Sequence, residues 1–203
     1  MFDAALRNII DPPLNAMGTK IAAIGVSANT VTVVGFLLGM LSVPFIATEY
    51  YSVALILIVL NRVFDGLDGA VARHSLLTNF GGYLDIVCDF IFYAAVVFGF
   101  ALARPENALY AAFLIFSFMG TGSSFLTYAI MAEKYGISTD IQGRKSLYYL
   151  GGLAEGGETI AAMLLMCVFP DYFLIIALVF GAMCWITTVT RIYAAWLTFG
   201  KSN

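Results

Sequence analysis

Long apolar runs recur along this chain, and they constrain its fold more than any other feature. About 20 consecutive apolar residues are enough for a helix to cross the hydrocarbon core of a bilayer. Hydrophobic residues make up 61% of the 203 residues and charged residues only 11%, so the chain lacks the polar surface that a soluble domain needs. The sequence therefore predicts an all-α integral membrane protein with about six transmembrane helices. The predicted spans are 29–48, 51–72, 82–103, 108–132, 150–169 and 172–199.

The segment ahead of the first span is mixed in character rather than uniformly apolar. Four apolar residues recur there at helical spacing: Leu14, Met17, Ile21 and Ile24. This pattern favours an amphipathic helix lying in the membrane interface over residues 1–26, with a loosely ordered leader as the alternative. No repeat, low-complexity tract or linker divides the chain. We expect one domain over 1–203, made of this interfacial helix and a six-helix transmembrane bundle over 29–199.

The positive charges predict how the helices are oriented. With the N-terminus in the cytoplasm, Arg104 faces outward and the other loop cations face inward, as the positive-inside rule requires. The inward cations are Arg7, Lys20, Arg73, Lys134, Arg144, Lys145 and Lys201. We therefore expect both termini, and the connection between the second and third spans, to lie on the cytoplasmic side.

Four aspartates and one arginine interrupt the apolar pattern between residues 65 and 89. Asp65 and Asp68 are three residues apart, and Asp85 and Asp89 are four apart, so each pair lies on one face of a helix. Carboxylates at membrane depth are costly, usually face the protein interior and mark functional sites. The segment 65–89 is therefore the predicted site, on the cytoplasmic side of the bundle.

The composition of this segment predicts a metal centre. Four ionised carboxylates close together repel one another, and two divalent cations would balance their charge. Ligands that are all oxygen favour Mg²⁺, Mn²⁺ or Ca²⁺, and paired metal ions suit chemistry at phosphorus. Arg73 adds a cation able to bind a phosphate through two hydrogen bonds. Cys88 is expected on a different helical face from Asp85 and Asp89.

The spacing of these residues resembles a family signature, that of the CDP-alcohol phosphatidyltransferases, D-x2-D-G-x2-A-R-x8-G-x3-D-x3-D. The matching positions here are Asp65, Asp68, Gly69, Ala72, Arg73, Gly81, Asp85 and Asp89. Seven residues rather than eight separate Arg73 from Gly81, which places a one-residue deletion in the connection between two helices. The segment 28–32, Ala-Asn-Thr-Val-Thr, also resembles the Pro-Asn-x-x-Thr start of the family's first span. YYLGGLAEGGET and CWITTVTRIY are similar to a bacterial inner-membrane branch of the family.

This resemblance implies six transmembrane helices after an interfacial helix, a homodimer, and a site that faces the cytoplasm from a bacterial inner membrane. It implies two Mg²⁺ ions, with Mn²⁺ as a substitute, and a role for each motif residue. The implied metal ligands are Asp65, Asp68, Asp85 and Asp89, with Asp89 also the general base. The implied contacts to the CDP-linked lipid are Gly69, Ala72, Arg73, Thr78 and Gly81.

The implied reaction moves a phosphatidyl group from a CDP-linked lipid, CDP-diacylglycerol as first choice, to a small alcohol, and it releases CMP. Candidate acceptor-binding residues are Arg144, Lys145, Glu155, Glu158 and Arg191. Glycerol 3-phosphate is the first expectation for the acceptor, ahead of serine or an inositol phosphate. Arg144 and Lys145 have a second interpretation as topology signals at lipid headgroups. The two glutamates and Arg191 have a second interpretation as mutually neutralising charges.

Two other classes of function use intramembrane carboxylates. A membrane prenyltransferase also binds a diphosphate through Mg²⁺, and a cation transporter would use the carboxylates as an ion path. Neither needs the Gly-x2-Ala-Arg element beside the aspartates. Nothing in the sequence resembles the basic stripe of a nucleic-acid-binding protein. The aromatic residues of 90–100, Tyr93 among them, are predicted to face lipid or neighbouring helices.

Overall fold

The computed structural model describes residues 3–75, 77–136 and 152–200, with side chains from Pro12 onward. This part of the chain contains eight α-helices and no strand, which confirms the all-α class. The helices are α1 (Asp3–Ala23), α2 (Ala28–Met40), α3 (Ser42–Ala47), α4 (Tyr51–His74), α5 (Asn79–Ala103), α6 (Ala108–Lys134), α7 (Gly156–Val168) and α8 (Phe173–Phe199). Short 3-10 turns at Pro105–Asn107 and Pro170–Tyr172 precede α6 and α8.

Four helical segments of the described chain are long and apolar enough to cross a membrane, so the predicted number of about six is not confirmed. They are Ala28–Ala47, Asn79–Ala103, Pro105–Lys134 and Pro170–Phe199. The predicted second span corresponds to α4, which has 24 residues but carries four charged side chains in its second half. The predicted fifth span corresponds to α7, which has 13 described residues. Charge in one helix and length in the other separate these two from the four clear candidates.

The first span is one apolar run built from two helices. Pro44 lacks the N–H that would bond to the carbonyl of Met40, and its ring crowds that carbonyl. Accordingly α2 ends at Met40 and α3 begins at Ser42. At its other end, α2 is capped by Ser27, whose hydroxyl accepts a hydrogen bond from the Thr30 amide at 3.2 Å.

The segment before the first span forms a long helix, α1, that packs along α4. Leu14 is buried in a small apolar cluster with Leu67, Ala70 and Val71. By contrast, Ile24 at the end of the segment is 77% exposed. The helical spacing seen in the sequence therefore serves partly to attach α1 to α4. The position of α1 in the membrane interface stays a prediction.

The main core lies where α3, α4, α5, α7 and α8 meet. Its fully buried large side chains come from all of these helices and from α6: Ile46, Ile58, Phe92, Phe100, Leu114, Met163, Met166 and Phe173. The stacked rings of Phe100 and Phe173, 4.9 Å between centroids, join α5 to α8. This core fixes α4 and α5 side by side, and these two helices carry all four aspartates.

Three interhelical links meet at the end of the bundle opposite the aspartates. Arg104, after α5, donates hydrogen bonds to Glu49 at 3.2 Å and to Asp171 at 2.6 Å. The hydrogen bond from Arg104 lowers the pKa of the Glu49 carboxyl. Exposed ion pairs of this kind contribute little to stability, but they join the α3–α4, α5–α6 and α7–α8 connections at one place.

Gly35 and Gly39 of α2 form a close contact with α4 within the same chain. A Cβ atom added at Gly35 would lie 2.6 Å from the Cβ of Phe64, and one added at Gly39 would lie 2.8 Å from Asn61 Nδ2 and from the Phe92 ring. The GxxxG pattern therefore brings helix backbones together, as small residues do between membrane helices. It places α2 close enough to α4 for their side chains to share the carboxylate site.

We expect Gly35→Ala to destabilise the protein by about 1–3 kcal/mol, since the new methyl overpacks a contact between two Cβ atoms that cannot rotate away. Gly156→Ala is the matched control, because a Cβ added there has no atom within 4 Å and alanine is the better helix former. The free energy of unfolding in mixed detergent micelles measures both. Equal stability of the two variants would contradict the close α2–α4 contact.

Candidate active site

Three of the four predicted aspartates converge between α4 and α5. One carboxylate oxygen from each of Asp65, Asp85 and Asp89 lies within 4.8 Å of the other two. The spacing along the chain explains this, because residues three or four apart share a helix face and the two faces oppose each other. The side chains of Asp65 and Asp89 are 34% and 26% exposed, so the cluster is sheltered but open to a ligand.

The fourth aspartate, Asp68, is held by α2. Its Oδ2 accepts a hydrogen bond from the Thr32 hydroxyl at 2.6 Å, and the residue is 7% exposed. Thr32 ends the segment that resembles the family's first-span motif, and the structure gives that motif a direct contact with the site. Thr32 and all four aspartates line one small pocket, which also includes Gly35, Phe36, Asn61, Arg62 and Cys88.

The structure corrects the expectation for Cys88. The sequence placed its side chain on a different helical face from Asp85 and Asp89, yet Cys88 lines the same pocket. Cys88 follows Asp85 by three residues, and that spacing keeps two side chains on one side of a helix. Among the described residues, the three-member cluster with metal-ligand spacing consists of aspartates alone.

Sequence reasoning missed Arg62, which is the cation in contact with the carboxylates. Its Nη2 donates a hydrogen bond to Asp89 Oδ1 at 2.6 Å, and its Nη1 lies 3.5 Å from Asp65 Oδ2. The signal was present in the sequence, because a single arginine in an apolar run is itself a functional hypothesis. It also stands three residues before Asp65, on the same helix face.

Two more polar residues complete this network. Asn61 Oδ1 accepts hydrogen bonds from Arg62 Nε at 2.8 Å and Nη2 at 2.6 Å, and Asn61 Nδ2 donates to the Gly35 carbonyl at 2.9 Å. The Tyr93 hydroxyl accepts from Arg62 Nη1 at 3.1 Å and donates to Asp89 Oδ2 at 2.9 Å. The sequence assigned Tyr93 to packing alone, since it sits in an aromatic run.

The residues predicted to hold the CDP-linked lipid lie at the same end of the bundle but outside the small pocket. Gly69, Ala72 and Arg73 are on the last turns of α4, and Arg73 is exposed, with Nη2 donating to Asn15 Oδ1 of α1 at 2.8 Å. Thr78 caps α5 by accepting from the Gly81 amide at 3.0 Å. A Cβ at Gly81 would meet Asn29 Oδ1 and Thr78 Oγ1, both at 3.0 Å, so this glycine also has a packing role.

A second, larger cavity of about 550 Å³ opens beside the carboxylates, between α5, α6, α7 and α8. Its lining is mostly apolar, with polar groups that include Thr121, Thr159, Glu155 and Arg191. Asp89 lines this cavity as well as the carboxylate pocket and, among the described residues, is the only one to line both. The same carboxylate therefore faces a candidate metal site and a space able to hold a small molecule.

The acceptor residues predicted from the sequence separate into three groups. Glu155 and Glu158 form a capping box at the start of α7, and Glu155 also lines the larger cavity. Arg191, 6% exposed, lines that cavity and donates from Nη1 to the Thr121 carbonyl at 3.1 Å. Arg144 and Lys145 lie outside the described residues. The structure thus brings Glu155 and Arg191 to the cavity and gives Glu158 a role in ending the helix.

The donor set fits a hard divalent cation. Carboxylate oxygens are the preferred protein ligands of Mg²⁺ and Mn²⁺, and three of them already lie within 4.8 Å of one another. Thr32 and Tyr93 donate hydrogen bonds to Asp68 and Asp89, and contacts of this kind orient metal-binding carboxylates. The residues present are therefore suited to hold such ions.

Comparison with known proteins assigns the family. The model of the CDP-alcohol phosphatidyltransferase family matches residues 25–197, and the chain belongs to this family, as its motif predicted. Inner membrane protein YnjF of Escherichia coli (strain K12) is 49% identical over 199 residues, which cover 98% of this chain and 97% of that protein. The archaetidylinositol phosphate synthase of Pyrococcus horikoshii is 27% identical and covers 94% of each chain. The protein is therefore an enzyme, a phosphatidyltransferase of phospholipid synthesis.

Solved structures show the same fold. Mycobacterium tuberculosis phosphatidylinositol phosphate synthase with CDP-DAG bound superposes with a TM-score of 0.68 at 20% sequence identity, covering 90% of this chain and 93% of that one. The same synthase in complex with manganese and citrate gives a TM-score of 0.67 at 19% identity, covering 90% and 88% of the two chains.

We expect Thr32→Val to weaken Mn²⁺ binding about tenfold, because Asp68 loses the donor that orients its carboxylate. Manganese binding to the purified protein, followed by electron paramagnetic resonance, measures the change without any substrate. Thr127→Val is the control, since Thr127 is an exposed threonine of α6. Equal Mn²⁺ affinity in the two variants would contradict a role for Thr32 at the metal site.

Proposed function

We propose that this enzyme transfers a phosphatidyl group from CDP-diacylglycerol to the hydroxyl of a small alcohol, with release of CMP. The observation that carries the proposal is the position of Asp89, which borders both the carboxylate cluster and the 550 Å³ cavity. A base must reach the proton that it removes. Asp89 meets this requirement for an acceptor bound in the cavity, while the other three aspartates line only the pocket.

The four aspartates are the proposed ligands of two divalent cations, Mg²⁺ or Mn²⁺. When bound, such ions would hold diphosphate oxygens and stabilise the charge that develops at phosphorus. Support comes from the all-oxygen donor set and from the manganese complex of the Mycobacterium tuberculosis synthase. Asp65 and Asp85 belong to the cluster with Asp89, and Asp68 adjoins it in the same pocket.

In the proposed reaction, a carboxylate oxygen of Asp89 accepts the proton of the acceptor hydroxyl. The acceptor oxygen forms a bond to the phosphorus that carries the diacylglycerol. The bond from that phosphorus to the bridging diphosphate oxygen breaks, and CMP leaves with the electron pair. The products are the new phospholipid, CMP and the proton held on Asp89, which then passes to water.

The turns next to the carboxylates are the proposed site of the CDP group. Gly69 and Ala72 leave little side-chain bulk on α4, and Arg73 can bind a phosphate with two parallel hydrogen bonds. Thr78 and Gly81 lie across the connection, at the start of α5. The CDP-DAG complex of the Mycobacterium tuberculosis synthase supports a CDP-lipid as donor.

The proposed acceptor is a phosphorylated alcohol, either an inositol phosphate or glycerol 3-phosphate, in preference to serine. The guanidinium of Arg191 lines the cavity and suits a phosphate, and Arg144 and Lys145 are further cations proposed for the same role. Both the Pyrococcus horikoshii and the Mycobacterium tuberculosis relatives are inositol phosphate lipid synthases by name. Glu155, also on the cavity wall, is proposed to accept a hydrogen bond from an acceptor hydroxyl.

The proposed location is a bacterial inner membrane, with both termini and the site on the cytoplasmic side. The Escherichia coli relative is an inner membrane protein by name, and the loop cations of this chain favour that orientation. Nucleotide-linked lipid and phosphorylated alcohol would then reach the site from the compartment that contains them. A homodimer is the proposed assembly.

We expect Asp89→Asn to reduce CMP release from CDP-diacylglycerol to background, because an amide can neither accept the proton nor carry the charge that binds metal. Asp171→Asn is the matched control, since Asp171 is exposed at the opposite end of the bundle. Chelation should abolish turnover of the wild type, and Mg²⁺ or Mn²⁺ should restore it. Normal CMP release by Asp89→Asn would refute the assignment of the base. No CMP release by the wild type with any alcohol would refute the reaction class and favour the prenyltransferase or transporter alternative.

A panel of acceptors, with products identified by mass, tests the acceptor class. We expect turnover with inositol phosphate or glycerol 3-phosphate to exceed turnover with serine. Arg191→Gln should then raise the KM for the phosphorylated acceptor about tenfold or more, as expected when a charged hydrogen bond is lost. Arg104→Gln, which removes an arginine far from the cavity, is the control. An unchanged acceptor KM in Arg191→Gln would exclude Arg191 from the acceptor site.

A further inference from the structure

Arg62 and Tyr93 together contact both oxygens of the Asp89 carboxylate. Arg62 Nη2 donates to Oδ1 at 2.6 Å, and the Tyr93 hydroxyl donates to Oδ2 at 2.9 Å. The two donors are also bonded to each other, because Arg62 Nη1 donates to the Tyr93 oxygen at 3.1 Å. The three side chains therefore form a closed ring of hydrogen bonds, and the plane of the carboxylate is fixed within it.

We propose that Arg62 and Tyr93 are positioning residues that hold Asp89 in the orientation from which it takes a proton. This inference rests on the proposed function, in which Asp89 is the base. Neither residue belongs to the sequence motif that identifies the family. Each acts through Asp89, and the ring of hydrogen bonds is what links them to the reaction.

Fixing both oxygens in this way leaves the carboxylate able to work. Each carboxylate oxygen has about two lone pairs, and each donor uses one of them. One lone pair per oxygen remains, so Asp89 can face the cavity and the other carboxylates at the same time. A carboxylate that rotated freely would lose this double alignment, and small misplacements of a reacting group are costly to turnover.

The guanidinium of Arg62 is itself held from three sides. Its Nε and Nη2 both donate to Asn61 Oδ1, and Asn61 is bonded through Nδ2 to the Gly35 carbonyl of α2. The guanidinium carbon lies 5.1 Å from the centroid of the Phe92 ring, a distance at which a cation and an aromatic ring attract. Arg62 thus transmits the positions of α2 and α4 to a carboxylate of α5.

The charge of Arg62 separates positioning from metal binding. A fixed cation 3.5 Å from Asp65 Oδ2 and 2.6 Å from Asp89 Oδ1 repels any divalent ion that binds the same carboxylates. Removing it therefore has opposite consequences for the two properties. Turnover falls because Asp89 is no longer held, while Mn²⁺ binding in the absence of substrates is not weakened.

The test compares Arg62→Gln, Arg62→Lys and Tyr93→Phe with the wild type and with the control Arg104→Gln. Arg104 also pairs with two carboxylates, but at the opposite end of the bundle. We expect kcat to fall about 10- to 100-fold in Arg62→Gln and about three- to tenfold in Tyr93→Phe. Arg62→Lys should give an intermediate kcat, because lysine restores the charge but not the planar set of donors. Electron paramagnetic resonance should show Mn²⁺ affinity that is equal or higher in Arg62→Gln.

The outcomes distinguish this proposal from the one on which it rests. Wild-type kcat in Arg62→Gln, together with an inactive Asp89→Asn, overturns the positioning role alone, whereas an active Asp89→Asn overturns the proposed base. Weakened Mn²⁺ binding in Arg62→Gln overturns it too, because Arg62 would then maintain the ligand set rather than the base. If Arg62→Gln fails to fold, Tyr93→Phe decides by itself, since it removes one hydroxyl and keeps the ring. Wild-type kcat in that variant overturns the proposal.

Discussion

Packing of α4 against α5 brings carboxylate oxygens of Asp65, Asp85 and Asp89 within 4.8 Å of one another inside an apolar bundle. Two unit charges at such a distance repel by about 3 kcal/mol at an effective dielectric constant near 20. The surrounding structure can be understood as a response to that repulsion. Arg62 supplies a positive charge, Thr32 and Tyr93 supply hydrogen-bond donors, and the open side of the cluster leaves room for cations. A bundle with these aspartates and none of these partners would be expected to separate α4 from α5.

The opposite end of the molecule makes this arrangement mechanically sound. Arg104 joins the links before α4, after α5 and before α8, and the buried rings of Phe100 and Phe173 lie just beneath. Individually the exposed ion pairs are weak. Together with the apolar core they fix one end of the helices, so that the other end can hold repelling charges and a ligand site. The close α2–α4 contact at Gly35 then lets α2 contribute Thr32 and a backbone carbonyl to the site.

The site combines two environments that the reaction needs to bring together. One is a small, polar pocket suited to divalent cations and phosphate oxygens, and the other is a larger, mostly apolar cavity with a few polar groups. Asp89 belongs to both, which is why it is the natural choice for the base among four aspartates of similar sequence context. Its contacts with Arg62 and Tyr93 distinguish it further, because among the described residues no other aspartate of the cluster is held through both oxygens by printed-length hydrogen bonds from side chains.

The sequence by itself determined the properties that depend on local pattern. Apolar runs predicted the all-α membrane fold, and the motif from Asp65 to Asp89 identified the family and the reaction class, because hydropathy and residue spacing are legible along one helix. The number of spans was less secure, since charge in α4 and the short described length of α7 weaken the hydropathy signal. The tertiary structure decided what joins residues far apart in the chain. It paired Thr32 with Asp68, placed Arg62 and Tyr93 on Asp89, assigned the glycine contact to one chain, and showed which aspartate borders the cavity. These contacts link separate helices, and their geometry follows from how the helices pack rather than from the spacing within any one of them.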